Sequence, residues 1–165
     1  MNFKRADGNP LRPFTSVEEM DEHMIDQWNK TVRPQDKVYH LGDVVINRRF
    51  LHVVERLNGR KILIKGNHDI FKLEDYYPRF ADIRAYHILD RFVLSHIPVH
   101  EGQLARWKAN IHGHLHSNQV EKNGEWDIRY FNVSVESPNR AIVGVPEFTP
   151  IPFQLIKDYY DGKAK

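Results

Sequence analysis

The sequence predicts an α/β fold, and three observations carry that expectation. Short apolar runs recur along the chain at strand length. Several of them end in turns built from glycine, asparagine, aspartate and histidine. Amphipathic stretches at helical spacing separate the first of these runs. Strand, helix, strand in that order implies a parallel crossover and a sheet covered by helices.

Taken in order, Ser16-Val17-Glu18-Glu19 reads as a capping box that opens a helix, with Ser16 as N-cap and Glu19 reaching back. Met20, Met24 and Trp28 then form an apolar stripe, and Pro34 stops the helix. Residues 37–41 read as a strand. Phe50, Val53, Val54 and Leu57 mark an amphipathic helix over about 48–58, closed by Asn58-Gly59, and residues 60–65 return as a strand. Two strands at 83–89 and 91–95 meet at a tight turn near Asp90-Arg91. A short helix near 101–107, a strand leading into Gly113-His114, a strand at 126–135 and a last helix from Phe153 to Tyr160 complete the list.

The chemistry gathers at the strand ends. Lys61-Ile62-Leu63-Ile64-Lys65 runs straight into Gly66-Asn67-His68-Asp69. Val38-Tyr39-His40-Leu41 leads to Gly42-Asp43, Phe92-Val93-Leu94 to Ser95-His96, and Ala109-Asn110-Ile111-His112 to Gly113-His114-Leu115-His116. Residues just past strand C-termini in an open α/β sheet collect at one edge, where ligands bind. Four such ends carrying Asp, Asn and His predict one metal site assembled from distant loops. Of ten histidines, His40, His68, His96, His100, His112, His114 and His116 lie in or beside it, leaving His23, His52 and His87 elsewhere.

In these blocks and their order the chain resembles the calcineurin-like metallophosphoesterases, above all the small single-domain type of bacteria and phages. The family pattern is D-x-H, G-D, G-N-H-D/E, a lone His, then G-H-x-H, and the last four blocks are present here. The resemblance implies a two-sheet α/β/β/α sandwich in a single domain over residues 1–165, lacking its first strand and the D-x-H block. Asp21-Glu22-His23 matches that block in letters but falls inside the first expected helix.

Roles follow from the resemblance. Asp43 would bridge two ions; Asn67, His96 and His114 would bind the second ion, and His116 the first. His68 and Asp69 would be catalytic, with His68 facing the phosphoryl group and Asp69 fixing its tautomer. The implied reaction is hydrolysis of a phosphomonoester or phosphodiester by metal-bound hydroxide. Divalent manganese, iron, nickel or zinc suits these ligands, two ions in the family and one where the first block is lacking. His40 and His112 are expected to pack or to orient a ligand.

Composition sets outer bounds. The 165 residues hold 24 basic and 22 acidic side chains, a balance too even to point to nucleic acid by bulk charge. With no cysteine, disulfides and thiolate ligands are excluded, and cytoplasm is the expected setting. No apolar run reaches membrane-spanning length, and Met1-Asn2-Phe3-Lys4-Arg5 lacks a signal-peptide core. The expected partner is a phosphorylated small molecule or nucleotide, with self-association where a sheet edge lies open. Two other readings stand beside the enzyme: a catalytically impaired binding or decoy protein that keeps one metal, and a fragment of a longer active chain.

Overall fold

The computed structural model describes Gly8 and residues 10–162. The expectation of a missing first block concerns the chain ahead of Gly8 and lies outside the described residues. The fold is mixed α/β, with three sheets among the described residues.

Helix α1 (Val17–Thr31) starts as its sequence dictates, with Ser16 Oγ accepting from Glu19 N at 3.0 Å. The return arm of the box is shifted by one residue, because the Glu19 carboxylate accepts from Thr15 N and Oγ. Met20 and Ile25 are its buried residues, while Met24 and Trp28 are half-buried, so the inward face is rotated from the expected stripe. Trp28 Nε1 donates to Asn58 O at 2.9 Å and Asn29 Nδ2 to Arg56 O at 2.9 Å, tying α1 to the chain that enters the strand at Arg60–Ile64.

The first sheet is all parallel, in the order β1 (Lys37–His40), β2 (Arg60–Ile64), β3 (Asp82–Arg84). The connection from β1 to β2 is a crossover, as expected, but its Arg48–Arg56 segment is a 3₁₀ helix rather than an α-helix. Its buried residues, Leu51 and Val54, are three apart, the spacing that stacks side chains in a three-residue turn. The expected helix near 101–107 is likewise 3₁₀, Glu101–Arg106, with Leu104 its buried residue. A short helix α2 (Leu73–Tyr76) precedes β3.

The second sheet has the order β4 (Tyr86–Leu89), β5 (Phe92–Ser95), β6 (Ala109–His112), β9 (Tyr130–Asn132). The single strand expected over 83–89 is in fact two. β3 pairs parallel with β2, and after Ala85 the chain crosses to the second sheet, where β4 pairs antiparallel with β5. Asp90 and Arg91 make the tight turn, both at positive φ, as a two-residue hairpin requires. The expected strand at 126–135 also breaks up. Asn123-Gly124, again at positive φ, closes a small hairpin of β7 (Glu121–Lys122) and β8 (Glu125–Trp126), and a turn at Asp127 restarts the chain as β9. Helices α3 (Asn139–Ile142) and α4 (Phe153–Gly162) follow.

The two larger sheets face each other. Tyr39 of β1 stacks on His87 of β4 at 4.9 Å, and Tyr39 and Leu41 pack on a cluster of Phe92, Leu94, Ile111 and Phe131 that α4 covers with Ile156 and Tyr160. On the outer side of the first sheet, Leu63 packs with Leu51, Val54, Tyr76 and Phe80. This arrangement brings the C-terminal ends of β1, β2, β5 and β6 to one edge.

Candidate metal centre

Two glycines let the β1 and β2 loops approach each other. A Cβ on Gly42 would sit 2.5 Å from Gly66 N and 2.6 Å from His96 Nδ1. One on Gly66 would sit 2.3 Å from Asp43 Oδ1 and 2.5 Å from Asp43 N. Real Cβ atoms do not tolerate such distances, so only glycine allows this contact. Gly42 also has φ +88. Asp43, His114 and His116 hold positive φ values of 54°, 67° and 53° without being glycine. Such backbone strain gathers where side-chain direction matters more than stability.

Asp69 locks the two loops together. Its carboxylate is buried, with Oδ2 accepting from Asp43 N and Gly66 N, both at 2.8 Å, and Oδ1 from Val44 N at 2.9 Å. Both oxygens are committed to main-chain amides, and among the described residues no hydrogen bond joins Asp69 to the His68 ring. The expected tautomer-fixing role is therefore corrected: Asp69 fixes the backbone that carries Asp43 and Asn67. His68 itself is exposed, and its amide donates to Asp43 Oδ1 at 2.9 Å.

Four candidate ligands converge. His96 is buried, and its Nδ1 lies 2.6 Å from Leu41 O. In the neutral ring this nitrogen carries the hydrogen, which leaves a lone pair on Nε2. Around Nε2 stand Asn67 Oδ1 at 2.9 Å, His114 Nδ1 at 3.1 Å and Asp43 Oδ2 at 3.3 Å. The ligand atoms of Asp43, His96 and His114 all lie within 4.8 Å of one another. Acceptors aimed at one point repel unless a cation sits among them. Two imidazoles, a carboxylate and an amide oxygen suit a divalent ion of borderline hardness. Burial, and after it the neighbouring His96, push the His114 pKa below the ordinary imidazole value, while Asp43 opposes them, a shift that favours the neutral ring.

The other expected residues fall outside this group. His116 Nδ1 is 3.0 Å from Glu136 Oε1, a carboxylate that is 2% exposed, and Arg12 Nη2 reaches the same oxygen at 3.2 Å. The sequence reading missed Glu136 and Arg12; they lie 20 and 104 residues from His116 and carry no local pattern. His40 and His112 are packing residues, as expected. His40 stacks against Trp28, and fully buried His112 bonds Gly113 O through Nδ1. Asp21-Glu22-His23 lies on α1, with Glu22 paired to Arg56 and His23 packed on Phe14 and Phe148. His100 caps the second 3₁₀ segment by accepting from Gly102 N.

The uncharacterized protein MJ1445 of Methanocaldococcus jannaschii is 34% identical over 149 residues, covering 88% of this chain and 77% of that protein. The chain belongs to its family. The crystal structure of AQ665, a protein of unknown function from Aquifex aeolicus, superposes with a TM-score of 0.62 at 25% identity, over 90% of this chain and 89% of its own. The chain thus shares a fold with a solved Aquifex protein. A novel archaeal phosphodiesterase aligns over 77% of this chain and 81% of its own at 20% identity, with a TM-score of 0.47. The chain matches no protein-family model. No helix among the described residues is long and apolar enough to cross a membrane.

Proposed function

We propose that the chain is a metal-dependent phosphoesterase of the calcineurin-like type, acting on a phosphomonoester or phosphodiester. One observation carries this reading: Asn67 Oδ1, His114 Nδ1 and Asp43 Oδ2 surround the lone pair of His96 Nε2, whose tautomer is set by Leu41 O. These four residues would hold a divalent ion, and His116, whose ring meets Glu136, would serve a neighbouring one. Such an ion supplies positive charge that polarises a phosphoryl oxygen and acidifies water.

The protein side chains do the rest. His68 stands exposed beside the cluster, held by its own amide on Asp43, and can donate a proton to the leaving oxygen. Asp69 keeps Asp43 and His68 in register through the backbone rather than through the ring. A substrate of the small-molecule or nucleotide class fits the even charge balance.

The test is metal analysis of purified wild type and Asp43→Ala, paired with hydrolysis of an aryl phosphodiester in manganese. Wild type is expected to hold metal and turn over, and Asp43→Ala to lose both. His68→Ala should lower kcat by roughly a hundredfold with metal content unchanged. Equal metal in wild type and Asp43→Ala would sink the assignment. A second reading, a binding protein with one ion and no turnover, has in its favour that a single three-residue Asp/His cluster forms among the described residues. Metal uptake without hydrolysis would select it.

A further inference from the structure

We infer that Glu136 is the positioning residue of His116, and that Arg12 holds Glu136 in place to serve it. The inference rests on the phosphoesterase reading for what His116 is aimed at, but its geometry stands on its own. Glu136 is 2% exposed, and its Oε1 meets His116 Nδ1 at 3.0 Å, Arg12 Nη2 at 3.2 Å and Arg12 Nε at 3.3 Å. A buried carboxylate keeps its charge only where partners of opposite charge or strong donors satisfy it. Arg12 does this from one side, which leaves Oε1 a strong acceptor for the imidazole on the other.

The consequence falls on His116. An acceptor at Nδ1 places the ring hydrogen there and presents Nε2 as a donor atom, the pattern by which carboxylates orient metal-binding histidines. The backbone is fixed from the same segment. Asn132, fully buried at the end of β9, donates through Nδ2 to His116 O and Asn118 O, each at 2.9 Å. The stretch from Asn132 to Glu136 thus grips His116 twice, by its main chain and by its ring. His116 sits at φ 53 with its side chain about half exposed. The Arg12 guanidinium occupies the same Glu136 oxygen that His116 meets.

The test separates orientation from mere support. In metal-free wild type, nitrogen-15 spectra of the histidine rings should show His116 as the Nδ1–H tautomer. Glu136→Gln, which removes the charge, should move it toward Nε2–H, and Glu136→Ala should move it further if that variant folds. Manganese affinity measured by calorimetry should fall about tenfold or more in Glu136→Gln, with melting shifted only a few degrees. In a His116→Ala background, adding Glu136→Gln should lower affinity no further. An unchanged His116 tautomer in Glu136→Gln overturns the inference. So does an equal loss of affinity in both backgrounds, which would mean that Glu136 merely supports the fold. If wild type takes up no manganese, the proposed function fails, yet the tautomer comparison still decides the role of Glu136.

Discussion

The site has two halves held in different ways. Asp43 and Asn67 stand on loops clasped by close glycine contact and by one buried carboxylate taking three amides, and the His114 loop is tied to that of His96 by Gly113 N donating to His96 O at 3.0 Å. His116 stands on a strained turn and is aimed by a relay of side chains, Arg12 to Glu136 to imidazole. Main-chain positioning makes the first half part of the fold, so it cannot be altered without altering stability. Side-chain positioning makes the second half adjustable. Damage to the first half should therefore lower melting temperature and ion affinity together, while damage to the second should lower affinity alone.

The largest effect is expected from Asp69→Ala. It strands three buried amides at once, and hydrogen bonds to a charged group contribute about 1.5–3 kcal/mol each. Partial rescue by water leaves a loss of roughly 4 kcal/mol, or about 10 °C in melting temperature for a chain of this size. Ion affinity should fall with it. Asp69→Asn, which keeps one acceptor oxygen, should lie between. A variant that melts like wild type would show that the clasp is not what holds the loops.

Next comes Gly42→Ala. The added methyl meets backbone and the His96 ring at 2.5–2.7 Å while the residue must keep φ +88, for a combined loss of about 3 kcal/mol. Calorimetric manganese titration and a thermal melt should both register it. Loss of affinity with an unchanged melt would contradict the fused character of this half.

Smallest is the response to acid. Burial pushes the His112 imidazole down to about 4 and lowers His40 in the same direction. The unfolded chain, with ordinary imidazoles near 6.5, binds more protons below that pH than the folded one, so stability rises with pH there. The contribution is complete above the unfolded pKa and is lost as pH falls from about 6.5 toward 4. His112 alone should remove roughly 2 kcal/mol by pH 5. Melting curves of metal-free protein at pH 7 and pH 5 check this, and His112→Gln should flatten the slope. A slope unchanged by that substitution would assign the acid sensitivity to other groups.

What the sequence determined by itself was local. Ser16 opened α1, Asp90-Arg91 turned a hairpin, and β1, β2, β5 and β6 ended where glycine or polar residues followed apolar runs. Asp43, Asn67, His96 and His114 were legible for that reason: each sits one to three residues past a strand whose end is written in its own neighbours. The Asn123-Gly124 hairpin carried an equally local signal that the reading of one strand over 126–135 passed over. Tertiary structure decided what depends on distant partners. It split residues 82–89 between two sheets, since either strand is plausible by pattern and only pairing with β2 or β5 chooses. It turned Asp69 from its neighbour His68 to the amides of Asp43 and Val44, because a buried carboxylate goes where unpaired donors are most numerous. And it brought Arg12 to Glu136 across 124 positions, an attraction that no periodicity encodes and that acts only once packing has excluded water from between them.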